Sequence, residues 1–249
     1  MNIDDIKISE IRKMDLKDCV VIDGFPSVGL VSSIVANYLI DTLKLTQIGI
    51  VDSIYFPAVS IVRNWEPFNP VRIYGGSIGE KEKVVVFLSE FQMQTPIIKA
   101  LASIMLDWAE EQKARLIITP EGIQSTKIKP SGKVNVYSVA TTQKAKELIP
   151  DELLIFEEGV INGVTGVLLN EGKKREMDVI ALLAEAHEEY PDARAAGRII
   201  EILSSKLLNV KIDPKPLYKE AQKIEKQLHT IRKQTETIKT DKPKGYMYS

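Results

Sequence analysis

Cysteine and histidine are nearly missing from this chain. One cysteine, Cys19, in 249 residues excludes an internal disulfide framework and every metal site built from several thiolates. Two histidines, His187 and His229, leave little material for zinc ligation or a histidine-based catalytic site, and no metal or cofactor is expected. No run approaches the eighteen or more consecutive apolar residues of a membrane-spanning helix. Met1–Asp5 is acidic and lacks the apolar core of a secretion signal. An excess of one charge sign is missing too: 33 Lys and Arg against 34 Asp and Glu give a formal net charge of -1. No global field draws such a chain to nucleic acid or to an anionic membrane, so neither is expected as a partner. The expectation is a soluble, reduced, cytoplasmic protein.

What the chain does have is core. It is 44% hydrophobic and 27% charged, and at this length one α/β domain buries about three quarters of the surface of its unfolded chain. Cys19-Val20-Val21-Ile22 is a short apolar run, as in a strand buried on both faces, and ends in Asp23-Gly24-Phe25-Pro26-Ser27-Val28-Gly29. Leu30, Val31, Ile34, Val35, Tyr38 and Leu39 then share one broad helical face, with Ser27 as N-cap. Strands are expected at Gln47–Val51, Val71–Ile78, Val84–Ser89, Leu116–Thr119 and Val134–Val139, with a strand or hairpin arm in Tyr55–Asn64. Helices are expected at Thr95–Lys113, with Pro96 in the first turn, and at Thr141–Leu148. Pro120-Glu121-Gly122 reads as a turn, Lys127–Lys133 as a loop, and Leu153–Phe156 with Val160–Leu168 as a glycine-punctuated strand region. Two further helices, Asp178–Tyr190 and Asp192–Leu208, break at Pro191, with Asp192 as the second N-cap. This alternation predicts an α/β domain over residues 1–212, its mostly parallel sheet covered by helices on both faces.

Beyond Asp213-Pro214-Lys215-Pro216, a stiff linker, the pattern changes. Leu217, Ala221, Ile224, Leu228, Ile231, Thr235 and Ile238 recur at spacings of four and three, a heptad seam within a helix over 213–240. Such a seam packs back on its own domain or pairs with other helices in a homo-oligomeric bundle. Residues 241–249 are polar, hold Pro243 and Gly245, and are expected to be mobile.

Four features bear on chemistry. Gly24-Phe25-Pro26-Ser27-Val28-Gly29 precedes a helix, where backbone amides bind phosphate. No Gly-Lys-Ser/Thr follows, however, and G-x-G-x-x-G is missing, so a tight structural turn fits better than a nucleotide loop. Asp23, Glu90 and Glu121 stand at predicted strand ends, the edge where α/β enzymes keep ligands. They suit a general base or a magnesium ion, and equally the capping of turns. Cys19 reads as core, His187 and His229 as surface, and Lys173-Lys174-Arg175 as a solvated loop. The chain ends Met247-Tyr248-Ser249: a hydrophobic residue, a tyrosine, and a last residue with the carboxylate. A mobile tail of nine extended residues reaches about 30 Å. Its tyrosine offers rigid amphipathic area, and its carboxylate a partner for lysine.

Asp23-Gly24-Phe25-Pro26-Ser27-Val28-Gly29-Leu30-Val31, Ser89-Glu90-Phe91 and Thr119-Pro120-Glu121-Gly122 together resemble the proteasome-assembly-chaperone-two family, above all its archaeal members. The resemblance covers about residues 10 to 210. It implies an α/β domain shaped like nucleoside phosphorylases, without an established enzymatic site, and homo-oligomers that associate with the proteasome core particle. Some members carry a C-terminal hydrophobic-Tyr-X motif that docks between adjacent α-subunits of the core ring, and Met247, Tyr248 and Ser249 match it position by position. The expected function is therefore an ATP-independent proteasome activator or assembly chaperone, with Leu217, Ile224, Leu228, Ile231 and Ile238 as oligomerisation residues. The competing readings are a nucleosidase- or hydrolase-like enzyme using Asp23, Glu90 and Glu121, and a scaffold whose heptad helix binds an unrelated helix.

Overall fold

In the computed structural model, residues 5–79, 82–124, 133–208 and 210–222 are described. Their frame is one nine-stranded sheet. In chain order its strands are β1 (Ile6–Glu10), β2 (Val20–Gly24), β3 (Thr46–Ser53), β6 (Val71–Ile78), β7 (Glu82–Ser89), β8 (Leu116–Gln124), β9 (Val136–Ala140), β10 (Leu154–Ile155) and β11 (Val179–Ala186). β4 (Ile61–Arg63) and β5 (Glu66–Phe68) form a separate hairpin, the arm expected in this region. The spatial order is β1-β3-β6-β7-β2-β8-β11-β9-β10.

The apolar runs lie at the centre because they can be covered on both sides. Val20, Ile22, Val84, Val86 and Ile118 face a core built with α1 (Val31–Thr42) and α5 (Ala193–Ile202). Cys19, Val21, Val85, Phe87 and Ile117 face the opposite core, built with α2 (Thr95–Glu111) and α4 (Gly163–Lys174). Helices thus cover both faces, as the alternation predicts. The short α3 (Gln143–Glu147) follows β9, capped by Thr142, whose hydroxyl accepts from the Ala145 N–H at 3.0 Å. Among the described residues no helix is long and apolar enough to cross a membrane.

Four expectations about the fold need correction. The sheet is mixed, not mostly parallel: β2 pairs parallel with β7 and β8, β8 with β11, and β10 with β9, while β1–β3, β3–β6, β6–β7 and β11–β9 are antiparallel. Asp178–Tyr190 is not a helix but contains β11, nearly every residue of which is buried. A strand inserted between two others and covered on both faces carries no alternation, so its apolar run imitates a buried helix. Val160–Leu168 is not a strand region but opens α4, whose Val164, Thr165, Leu168 and Gly172 form the buried stripe.

Pro120-Glu121-Gly122 likewise continues β8 instead of turning. β2 pairs with β8 only over Leu116–Ile118, and Ile117 donates its N–H toward Asp178 on the β11 side. By alternation, the N–H that proline lacks would face the side β2 has already left, so no ladder bond is lost.

After α5 the chain passes through one π turn, Leu203–Leu207, and residues 215–222 are helical. Leu217 and Ala221 are buried, Leu217 within the α1–α5 core, so the seam begins packed on its own domain. Ile224, Leu228, Ile231, Thr235 and Ile238 lie outside the described residues, as do His229 and the tail residues Met247, Tyr248 and Ser249.

Candidate functional site

β2 ends beside the middle of β8, and α4 and the β2–α1 loop close over that point. Asp23, on the last turn of pleat in β2, is buried, its Oδ1 accepting from the Phe25 N–H at 3.1 Å. Its Oδ2 accepts from the Thr119 hydroxyl at 2.9 Å. Thr119 stands 2.6 Å from the Thr165 hydroxyl, which donates to Glu121 Oε2 at 2.7 Å. Two of the three carboxylates expected at strand ends are therefore brought together through a pair of threonines from β8 and α4, although Glu121 lies inside β8.

Burial dominates the electrostatics. It pushes Asp23 up to about 7, against the hydrogen bonds from Thr119 and the Phe25 N–H, which favour the charged form. It pushes Glu121 up to about 8, opposed by the bond from Thr165 and reinforced by the Asp23 charge.

The Gly24–Gly29 segment is a structural turn. Gly24 lies against α1, where a Cβ would meet the Ala36 Cβ at 2.4 Å, and Gly29 combines a φ of 60° with close approach to the His187 carbonyl. Ser27 acts as a cap one turn removed from the expected place: its Oγ accepts from the Ser32 N–H at 3.2 Å and the Gly122 N–H at 3.3 Å. The Ser32 hydroxyl lies 2.8 Å from Ser27 Oγ and donates to the Pro120 carbonyl. α1 and β8 are stitched together through this loop.

Glu90 belongs elsewhere. Its Oε1 accepts from Arg63 at 2.7 Å and from the fully buried Arg72. Arg72 also donates to the Asn69 carbonyl at 2.7 Å and the Tyr74 hydroxyl at 2.9 Å, and its guanidinium lies over the Phe68 ring. Glu90 is the counter-ion of a strand-borne arginine, and the trio of carboxylates does not converge. Among the described residues no group of three or more His, Cys, Asp or Glu is arranged to hold a metal ion.

The remaining candidates also find places. Cys19 is buried, and burial pushes its thiol up to about 12. His187 is not a free surface residue on a helix: it follows β11, stacks on Tyr190 at 4.7 Å and sits 2.9 Å from Asp192. Asp192 caps α5 as expected, accepting from the Ala195 N–H at 2.9 Å. Lys173-Lys174-Arg175 is the end of α4 and not a loop; Arg175 reaches Asp107 and Ser103 on α2. Sequence reasoning missed Thr165, hidden in a misassigned segment, and Arg72, whose one signal was a charge inside an apolar strand.

Set beside known proteins, residues 21–232 match the model of the PAC2 family. The chain is 27% identical to Pyrococcus furiosus PbaA, described as an archaeal homolog of proteasome-assembly chaperone, with a TM-score of 0.80 and coverage of 94% of each chain. It is 26% identical to Pyrococcus furiosus PbaB, described as an archaeal proteasome activator, with a TM-score of 0.80 over 92% of this chain and 99% of that one. The Methanocaldococcus jannaschii protein MJ0106 is 28% identical over 93% of each chain.

Proposed function

Because this chain belongs to the PAC2 family, we propose that it is an ATP-independent proteasome activator or assembly chaperone that docks on the α-subunits of the core particle through its C-terminal tail. The observation that carries this reading is the likeness to the activator PbaB across nearly the whole of both chains. The ending Met247-Tyr248-Ser249 supports the mode of docking. A hydrophobic residue and a tyrosine fill a pocket at low entropic cost, and the terminal carboxylate pairs with a cation at its mouth.

In this reading residues 1–212 are the chaperone-family domain, 213–240 the oligomerisation helix and 241–249 the docking tail. Leu217 packs on its own domain, which leaves Ile224, Leu228, Ile231 and Ile238 to pair between copies. A single short tail binds weakly. Several tails on one homo-oligomer gain by effective concentration, and they shift the gate only by binding the open ring more tightly than the closed one. The work is mechanical, so no nucleotide, metal or cofactor enters it.

The test is peptide hydrolysis by an archaeal core particle without ATP, titrated with the full chain and with a chain lacking residues 247–249. Stimulation that depends on the last three residues supports activation, and tail-dependent binding without stimulation supports the chaperone role. Neither binding nor stimulation overturns the proposal.

A further inference from the structure

Four side-chain oxygens stand in a row where β2 ends beside β8: Asp23 Oδ2, Thr119 Oγ1, Thr165 Oγ1 and Glu121 Oε2. The gaps are 2.9, 2.6 and 2.7 Å, all hydrogen-bond separations, and each requires one hydrogen between its two oxygens. The threonines supply two, one per hydroxyl. With both carboxylates ionised, both hydrogens point outward, and the middle gap holds facing lone pairs at 2.6 Å. Two oxygens without a hydrogen between them repel at that distance. A third hydrogen completes the row, and within the row only a carboxyl can carry it.

We propose that Asp23 and Glu121 share one proton through the Thr119–Thr165 hydroxyl pair, forming a pH-sensitive latch that ties the β2–α1 loop and the first turn of α4 to β2 and β8. Two arrangements satisfy every gap. In one, the Asp23 carboxyl donates to Thr119, Thr119 to Thr165 and Thr165 to the Glu121 carboxylate. In the other, the proton sits on Glu121 and all three bonds reverse. Either way the pair carries one negative charge.

The latch reaches the loop by short links. Asp23 holds the Phe25 N–H, while Gly122, next to Glu121, donates to Ser27. Thr165 belongs to the opening turn of α4. Several charged groups on the surrounding elements are engaged with other partners. Glu90, after β7, holds Arg63 and Arg72, and Glu185 of β11 accepts from Asn135 and Tyr137. Asp192, before α5, is paired with His187. On α4, Glu171 and Lys174 pair at the far end, and Arg175 turns to Asp107 of α2. Burial raises both Asp23 and Glu121, in agreement with a retained proton.

The sign follows. In the unfolded chain both groups ionise near about 4, so at neutral pH folding takes up a proton. The stabilisation is complete below that range and is lost as pH rises through the raised folded values, about 7 for Asp23 and about 8 for Glu121. Between the unfolded ionisation range and those folded values, the one shared proton makes the folding equilibrium constant fall about tenfold per pH unit.

The experiment is urea unfolding of the full chain from pH 5 to pH 9, with infrared detection of the protonated-carboxyl stretch in the folded protein. The wild type should show the stretch at neutral pH and a folding constant falling about tenfold per pH unit. In Asp23→Asn the side-chain amide supplies the third hydrogen itself, so the stretch should vanish at neutral pH and the slope flatten. Glu121→Gln, the mirror change, should behave alike. Absence of the stretch in the folded wild type at neutral pH, or a wild-type slope retained in these variants, overturns the latch. Neither readout involves the tail or the proteasome, so its failure is distinct from failure of the proposed function.

Discussion

Gly122 on β8 presses directly on Val28 of the β2–α1 loop: a Cβ at position 122 would stand 2.0 Å from the Val28 carbonyl oxygen. Backbone on both sides leaves no flexible side chain to give way. Gly122→Ala is therefore expected to destabilise by about 2–3 kcal/mol, the upper part of the range for overpacking. A urea midpoint shifted down at unchanged slope would bear this out; an unshifted midpoint would show that the loop moves freely off the strand.

Leu30 holds the opposite kind of tension. Its φ is 51° and ψ 26°, a left-handed conformation that costs a side-chain-bearing residue about 1–2 kcal/mol. With 43% of its surface exposed, it recovers little by packing. Leu30→Gly relieves the strain but adds freedom to the unfolded chain worth about 0.5–1 kcal/mol. The balance is a gain of up to about 1 kcal/mol, readable as a higher melting temperature; a lower one would contradict it.

Glu90 is expected to matter for stability. Glu90→Ala strips the buried Arg72 guanidinium of its counter-ion, and breaking one partner of a buried pair costs about 3–5 kcal/mol. Calorimetry on this variant should show a large drop in melting temperature. A variant as stable as wild type would reopen the carboxylate as a functional group.

Cys19 should be silent toward thiol reagents in the native state. Its side chain is fully buried, and burial holds the thiol up to about 12, so the reactive thiolate is scarce. Labelling with a chromogenic disulfide is expected to be complete in denaturant and limited in buffer by the rate of opening. Rapid labelling in buffer would place β2 outside the stable core.

Much of the fold could be read from local pattern. Val20–Ile22 and Val84–Ser89 are apolar without alternation and are central strands; Pro96 opens α2, and Asp192 caps α5. Asp23 at the end of β2 was legible for the same reason, whereas Glu121, expected at a strand end, lies inside β8. Val179–Ala186 was not, because burial on both faces erases the period that separates strand from helix.

What the sequence determined by itself is what neighbouring residues decide among themselves: where apolar runs begin and end, which residues cap helices, and the family likeness carried by the Gly24–Gly29 turn. Strand order, the antiparallel half of the sheet and the meeting of particular carboxylates depend on contacts between distant segments. Asp23 and Thr119 are 96 positions apart, and Glu121 and Thr165 are 44 apart. No local propensity encodes such pairings. They arise when β2, β8 and α4 bury their apolar faces together, and that packing joins Asp23 to Glu121 while Arg72 claims Glu90.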